Sequence, residues 1–192
     1  MMFRQLFDQT SGTYSYLLAS RAGREALIID PVLEKVDRYL QLVKELDLKL
    51  VKAVDTHLHA DHITGLGALR DRTHCITVMG EQTKADVVSM RLSYGDKLTI
   101  EGLALEVIYT PGHTDDSYSF VMPDRVFTGD TLLIRGTAAP TSKMATRANN
   151  TSRSSAGCSS CRTRRWSILR TTIRATPSPP SARREPTIHD SK

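Results

Sequence analysis

Two apolar rhythms organise the first 137 residues of the 192-residue chain. Tyr14 to Ala19 predicts a strand, and Ala26 to Asp30 a second one, closed by Pro31, which has no N–H to continue a ladder. From Leu33 to Leu48 the period changes: Leu33, Val36, Leu40, Val43 and Leu46 recur at helical spacing. Leu50 to Val54 then predicts a buried strand, Leu66 to Arg70 a short helix, Ile76 to Met79 a strand and Glu81 to Ser89 another helix. Leu98 to Ile100, Leu103 to Tyr109, Ser117 to Val121 and Arg125 to Thr128 predict four more strands joined by short turns. Strands linked first by helices and then by turns imply an α+β fold, a mixed sheet packed with helices.

After Thr137 neither rhythm continues. Eighteen of the 55 residues in 138–192 are Ser or Thr and five are Pro, while the large apolar residues are few and scattered: Met144, Trp166, Ile168, Leu169, Ile173 and Ile188. So little apolar surface does not offset an ordering cost of about 1–2 kcal/mol per residue, and the expectation is a tail without stable structure. Charge divides at the same place. The net +5 of the chain combines 15 Lys/Arg against 19 Asp/Glu in 1–137 with 11 against two in 138–192. A mildly acidic domain, 1–137, therefore precedes a basic tail, 138–192.

Composition excludes several classes. Met1-Met2-Phe3-Arg4-Gln5 lacks the apolar core of a secretory leader, and no stretch reaches the roughly 20 apolar residues of a membrane span, so a cytoplasmic protein without a membrane partner is expected. Cys75, Cys158 and Cys161 make no disulfide framework and read as reduced thiols. Cys158 and Cys161 have redox or zinc spacing but no second ligand pair near them.

The chemistry is concentrated at strand ends. His57, His59, Asp61 and His62 directly follow the Leu50–Val54 strand, His113 lies in Thr110-Pro111-Gly112-His113-Thr114, and Asp130 lies in Phe127-Thr128-Gly129-Asp130-Thr131. Glycine and proline make tight turns that hold such side chains rigidly. Neutral imidazoles with carboxylates suit borderline divalent metals such as zinc or ferrous iron. His74 and His189 stand apart from these loops and read as surface or packing residues.

His57-x-His59-x-Asp61-His62, Pro111-Gly112-His113-Thr114 and Thr128-Gly129-Asp130, in that order, resemble the metallo-β-lactamase superfamily, whose fold is an αββα sandwich. Ser11 to Leu18, Ile29 to Glu34, Thr56 to Gly65 and Thr128 to Gly136 are similar to its persulfide dioxygenase branch. That resemblance implies one ferrous iron per chain and oxidation of glutathione persulfide to sulfite with dioxygen. It also implies His59, His113 and Asp130 as iron ligands, with His57, Asp61 and His62 as catalytic groups that orient ligands and bound water or hold a second metal. The alternative within the superfamily is a glyoxalase II-type hydroxyacylglutathione thioester hydrolase with a binuclear Zn(II) site. The motif alone is common to both, and the flanking residues favour the dioxygenase. An assembly of identical copies is left open.

The resemblance stops after Gly136. The branch continues with a segment close to GRTDFQNGD and later with YPAHDY, whereas Ala138 to Thr146 reads AAPTSKMAT and Ile168 to Pro177 reads ILRTTIRATP. Coded plausibly and read one nucleotide later, GRTDFQNGD spells AAPTSKMAT and YPAHDYKGDT spells ILRTTIRATP. Residues 138–192 are therefore expected to derive from a one-nucleotide frameshift near Gly136-Thr137. That would leave the sandwich incomplete in its C-terminal half, the activity impaired, or the product non-functional. A tail binding nucleic acid through Arg162, Arg164, Arg165, Arg170 and Arg174 is the reading from another class. It has only Trp166 as an aromatic and no recognisable module, so no nucleic-acid partner is expected.

Overall fold

The structure, a computed structural model, describes residues 1–86 and 88–133. The expectations for 138–192, the Cys158/Cys161 pair, His189 and the tail arginines lie outside the described residues.

Strands β1 (Met2–Phe7), β2 (Tyr14–Ala19), β3 (Glu25–Ile29), β4 (Lys49–Val54), β5 (Ile76–Gly80) and β6 (Met90–Leu92) form one sheet in that spatial order. β1, β2 and β3 pair antiparallel, while β3 to β6 run parallel. Parallel neighbours need crossovers. Helix α1 (Val36–Glu45), entered through a 3-10 turn at Leu33–Lys35, supplies the one from β3 to β4, and helix α2 (Leu66–Thr73) lies between β4 and β5. The second sheet is antiparallel throughout, in the order β10 (Val126–Phe127), β9 (Tyr118–Val121), β8 (Leu103–Tyr109), β7 (Lys97–Ile100).

β3 shows why the layers stack as they do. Ala26, Leu27, Ile28 and Ile29 are all fully buried, but successive side chains point to opposite faces. Leu27 and Ile29 join Tyr16, Val54, Leu98, Leu105, Val107 and Phe120 between the two sheets. Ala26 and Ile28 join Val36, Tyr39, Leu42, Val43, Leu66 and Leu69 beneath the helices. Complete burial of each such Leu or Ile contributes about 1.5–3 kcal/mol. Three layers of the αββα sandwich, helices, sheet and sheet, are thus present among the described residues. The mixed sheet packed with helices has a second, antiparallel sheet on its other face. No helix among the described residues is long and apolar enough to cross a membrane.

Four elements differ from the sequence reading. The predicted Glu81–Ser89 helix is not formed over its described residues: Thr83 N–H donates to Gly80 O, and the Arg91 guanidinium takes the carbonyls of Thr83 and Ala85 that a helix would use internally. The Leu33–Leu48 period resolves into a 3-10 turn and a helix that stops at Glu45, where Leu46 N–H closes onto Leu42 O and Asp47 turns left-handed (φ +53°). β1 and β6 are strands that the apolar pattern did not predict. Cys75 is buried and unpaired, and His74 is exposed, closing α2 in a left-handed conformation.

Candidate metal centre

Three loops meet at one end of the two sheets. The loop after β4 begins with Asp55, whose N–H donates to Val78 O. Its far end is laced to the segment after β3, with Gly65 N–H on Pro31 O and Leu33 N–H on Ile63 O. The β8–β9 loop carries His113 and is tied to the first loop twice: Tyr118 N–H donates to Thr56 O, and Leu58 N–H to the buried Asp116 carboxylate at 3.1 Å. A short 3-10 turn, Gly129–Thr131, carries Asp130, and the Thr131 hydroxyl bonds Thr110 O at 3.1 Å, joining that turn to the His113 loop.

Asp30 underlies this arrangement. It is fully buried at the end of β3 with a left-handed φ of +49°, a conformation Asp tolerates because its short polar side chain bonds locally. Its Oδ1 accepts the Thr56 N–H at 2.7 Å and lies 3.3 Å from His59 Nε2, and its Oδ2 accepts the Thr56 hydroxyl at 3.1 Å. The Thr56 hydroxyl is also 2.9 Å from His57 Nδ1. Its single proton goes to Asp30, so it accepts from His57 Nδ1–H and leaves His57 Nε2 as the nitrogen with a lone pair for a metal.

Of the six residues expected to make the site, all lie in these loops, but they divide differently from the expectation. His57, His113 and Asp130 bring one donor atom each within 4.8 Å of one another. His59, expected to join His113 and Asp130, has a donor atom within the same distance of Asp61 and His62, and of Asp30 and Asp55. The physical reason is the direction of its ring: Nε2 is engaged by Asp30 and Nδ1 lies 3.9 Å from Asp61. Sequence reasoning quoted Thr13, Asp30 and Thr56 only as flanking text and passed over Asp55 and Asp116. An acid at a strand end before proline is the one signal that could have singled out Asp30.

Charge follows the same division. Burial, then the neighbouring imidazoles of His59 and His113, hold His57 well below the usual histidine range. Burial acts the same way on His59, but the Asp30 hydrogen bond and the charges of Asp30, Asp55 and Asp61 outweigh it and push the ring up to about 9. Burial would raise Asp61, yet the bond to His62 and the adjacent imidazoles hold its carboxyl well below the carboxylate range. Burial pushes Asp55 up to about 7 and raises Asp130 as well. Asp130 Oδ1 and His62 Nε2 are buried with no hydrogen-bond partner among the described residues. Such atoms cost free energy unless something outside the chain binds them, and a cation coordinated by imidazole and carboxylate is the group that fits.

Residues 9–87 match the model of the family described as the metallo-beta-lactamase superfamily. The chain is 48% identical over 139 residues to the mitochondrial persulfide dioxygenase ETHE1 of Mus musculus, covering 71% of this chain and 54% of that protein. It is 32% identical over 125 residues to the hydroxyacylglutathione hydrolase of Idiomarina loihiensis, covering 64% of this chain and 48% of that protein. Among solved structures, ETHE1 from Myxococcus xanthus superposes with a TM-score of 0.75 at 49% identity, covering 78% of this chain and 66% of that one. The chain spans about half the length of the curated relatives it matches.

Proposed function

The chain belongs to the metallo-beta-lactamase superfamily, and from that premise we propose that it is built as an iron-dependent persulfide dioxygenase acting on glutathione persulfide. The observation that carries this reading is the identity of nearly half its aligned residues to proteins named persulfide dioxygenase, against about a third for the hydrolases. The ligand set we propose is His57, His113 and Asp130, in place of the set with His59, because these three donors converge and Asp130 Oδ1 has no other partner among the described residues. A two-histidine, one-carboxylate set is the kind that retains Fe(II) with open positions, and the iron supplies the redox chemistry that lets dioxygen react with a sulfane sulfur.

The chain's own residues prepare for that chemistry. The Asp30–Thr56 pair fixes the ring of His57 through Nδ1. Gly129 leaves the space for it: a Cβ there would meet Thr56 Oγ1 at 2.4 Å and His57 Nδ1 at 3.3 Å. Asp61 and His62 supply a second pair of polar groups beside the triad, suited to orienting water.

That second cluster, His59 with Asp61 and His62, is also what favours the other reading, a hydroxyacylglutathione hydrolase with two zinc ions. Metal analysis with oxygen uptake on glutathione persulfide separates them. One iron per chain with oxygen consumption supports the dioxygenase. Two zinc ions, no oxygen uptake and thioester hydrolysis overturn it. For residues 138–192 we carry forward the one-nucleotide offset, with the impaired activity it implies for this chain.

A further inference from the structure

The β1–β2 loop does more than turn the chain. Asp8 N–H donates to Thr13 O and Gly12 N–H to Asp8 O, closing the loop on itself, with Gly12 at φ +75°. The buried Asp8 carboxylate accepts the Ser11 N–H at 2.9 Å and the Ser11 hydroxyl at 2.7 Å, and Lys35 Nζ stands 3.3 Å away. Ser11 Oγ in turn lies 2.9 Å from Thr13 Oγ1 and accepts the Thr13 N–H at 3.3 Å. All of this places one hydroxyl. Thr13 Oγ1 is 3.2 Å from Asp61 Oδ2 and 3.2 Å from His62 Nδ1.

We propose that Thr13 is a positioning residue of the centre, holding His62 as the tautomer with its proton on Nδ1 and its lone pair on Nε2. A hydroxyl has one proton to give, and Asp61, ionised, can only accept it. Thr13 Oγ1 must then accept from His62, which requires Nδ1–H. The other atom beside Nδ1 is Asp61 Oδ1 at 3.4 Å, also an acceptor, and it makes the same demand. Nε2 is left unprotonated, buried and, among the described residues, without a hydrogen-bond partner, so it is the ring atom of His62 able to bind a cation or accept a proton. Binding through Nδ1 would require His62 to abandon both contacts. Thr56 does for His57 what Thr13 does for His62: each threonine gives its proton to a carboxylate and accepts from a ring nitrogen.

The inference rests on the loops forming a metal centre, but its test needs no turnover, so failure of the oxygen-uptake experiment and failure of this one are distinguishable. Long-range 15N–1H spectra of the full chain, recorded metal-free and with one equivalent of zinc, report which nitrogen of His62 carries the proton. Nε2 is expected to be unprotonated in the wild type and in Thr13→Ser, which keeps the hydroxyl. In Thr13→Val, nearly the same in shape, only the longer Asp61 Oδ1 contact still favours Nδ1–H, so a partial signal for Nε2–H is expected to appear beside that of Nδ1–H. A wild-type spectrum with the proton on Nε2 overturns the proposal without any variant, and so does a Thr13→Val spectrum that matches the wild type. If Thr13→Val fails to fold, the wild-type and Thr13→Ser spectra decide.

Discussion

The Thr56 hydroxyl stands 2.9 Å from His57 Nδ1 and 3.1 Å from Asp30 Oδ2, so a side chain from the end of β3 sets the ring of a residue in the loop after β4. Groups that orient a metal-binding histidine through its far nitrogen are worth about 10–100-fold in metal affinity. Thr56→Val keeps the shape and removes the relay. Competition with a chelator should show zinc bound about 10-fold more weakly or worse, with the circular dichroism of the fold unchanged. Thr56→Ser should restore most of the loss.

Gly129 offers a second handle on the same contact. Its φ is +50°, and a Cβ there would approach the Thr56 side chain to 2.4 Å. Gly129→Ala combines an unfavourable left-handed backbone with a clash and should destabilise by more than about 1 kcal/mol in urea unfolding. It should also weaken metal binding. An equivalent test of packing alone is Gly80→Ala, whose Cβ would stand 2.1 Å from the ring of Tyr118. That variant should lose about 1–3 kcal/mol of stability while a zinc titration of the surviving folded protein matches the wild type.

These contacts mark the boundary of what the sequence made legible. Ala26 to Ile29 announced itself because a central strand buried on both faces is a continuous apolar run, and Leu50 to Val54 is nearly one, interrupted by the half-buried Lys52. The loops bearing His57, His113 and Asp130 were legible because glycine, proline and ligand-type residues cluster there. β1 was not, since an edge strand carrying Arg4 and Gln5 becomes a strand through its register with β2, Met2 opposite Ala19 and Phe7 opposite Tyr14. Glu81 to Ser89 was expected to be helical, but Arg91, from β6, captures the Thr83 and Ala85 carbonyls. Which histidine joins His113 depends on ring direction, and that is decided by Asp30, 26 residues before Thr56 and 29 before His59.

Asp8 ties the β1–β2 loop to pH. Burial alone would raise its carboxyl, but the Ser11 and Lys35 hydrogen bonds outweigh it and hold it below its ordinary value of 3.8. A folded state with the lower value binds fewer protons than the unfolded chain, so this stabilisation is complete above the unfolded value and disappears as pH falls through the folded one. Asp8→Asn should therefore lower Tm at neutral pH, and the gap to the wild type should narrow as pH falls below the ordinary value of 3.8 and close as it passes the lower folded one. A gap that persists unchanged at low pH would show that the ionised form contributes nothing.

The one-nucleotide offset proposed for 138–192 has a direct readout in DNA. The codons after Gly136, read in the neighbouring frame, should spell segments close to GRTDFQNGD and YPAHDY at the spacing between Ala138 and Ile168. A coding strand without them in any frame sinks the idea. Where they are present, restoring the frame should raise soluble yield, because an incomplete sandwich would expose apolar surface that favours aggregation.

His57 and His59 make the sharpest comparison, two rings with centroids 4.2 Å apart and different work. His57→Ala removes a donor from the triad with His113 and Asp130 and leaves Asp130 Oδ1 still without a partner among the described residues. It should abolish binding of the first metal equivalent, while thermal stability of the metal-free chain falls little. His59→Ala removes instead the ring held between Asp30 and Asp61, with Asp55 close by, and leaves buried carboxylates facing one another. Uncompensated buried charge is costly, about 3–5 kcal/mol when one partner of a buried pair is lost, so this variant should lose stability first. Metal titration alongside urea unfolding of the two metal-free variants separates these roles. If His59→Ala loses the first metal equivalent without losing stability, the triad is the one expected from sequence, and Asp30 does not hold His59 away from it.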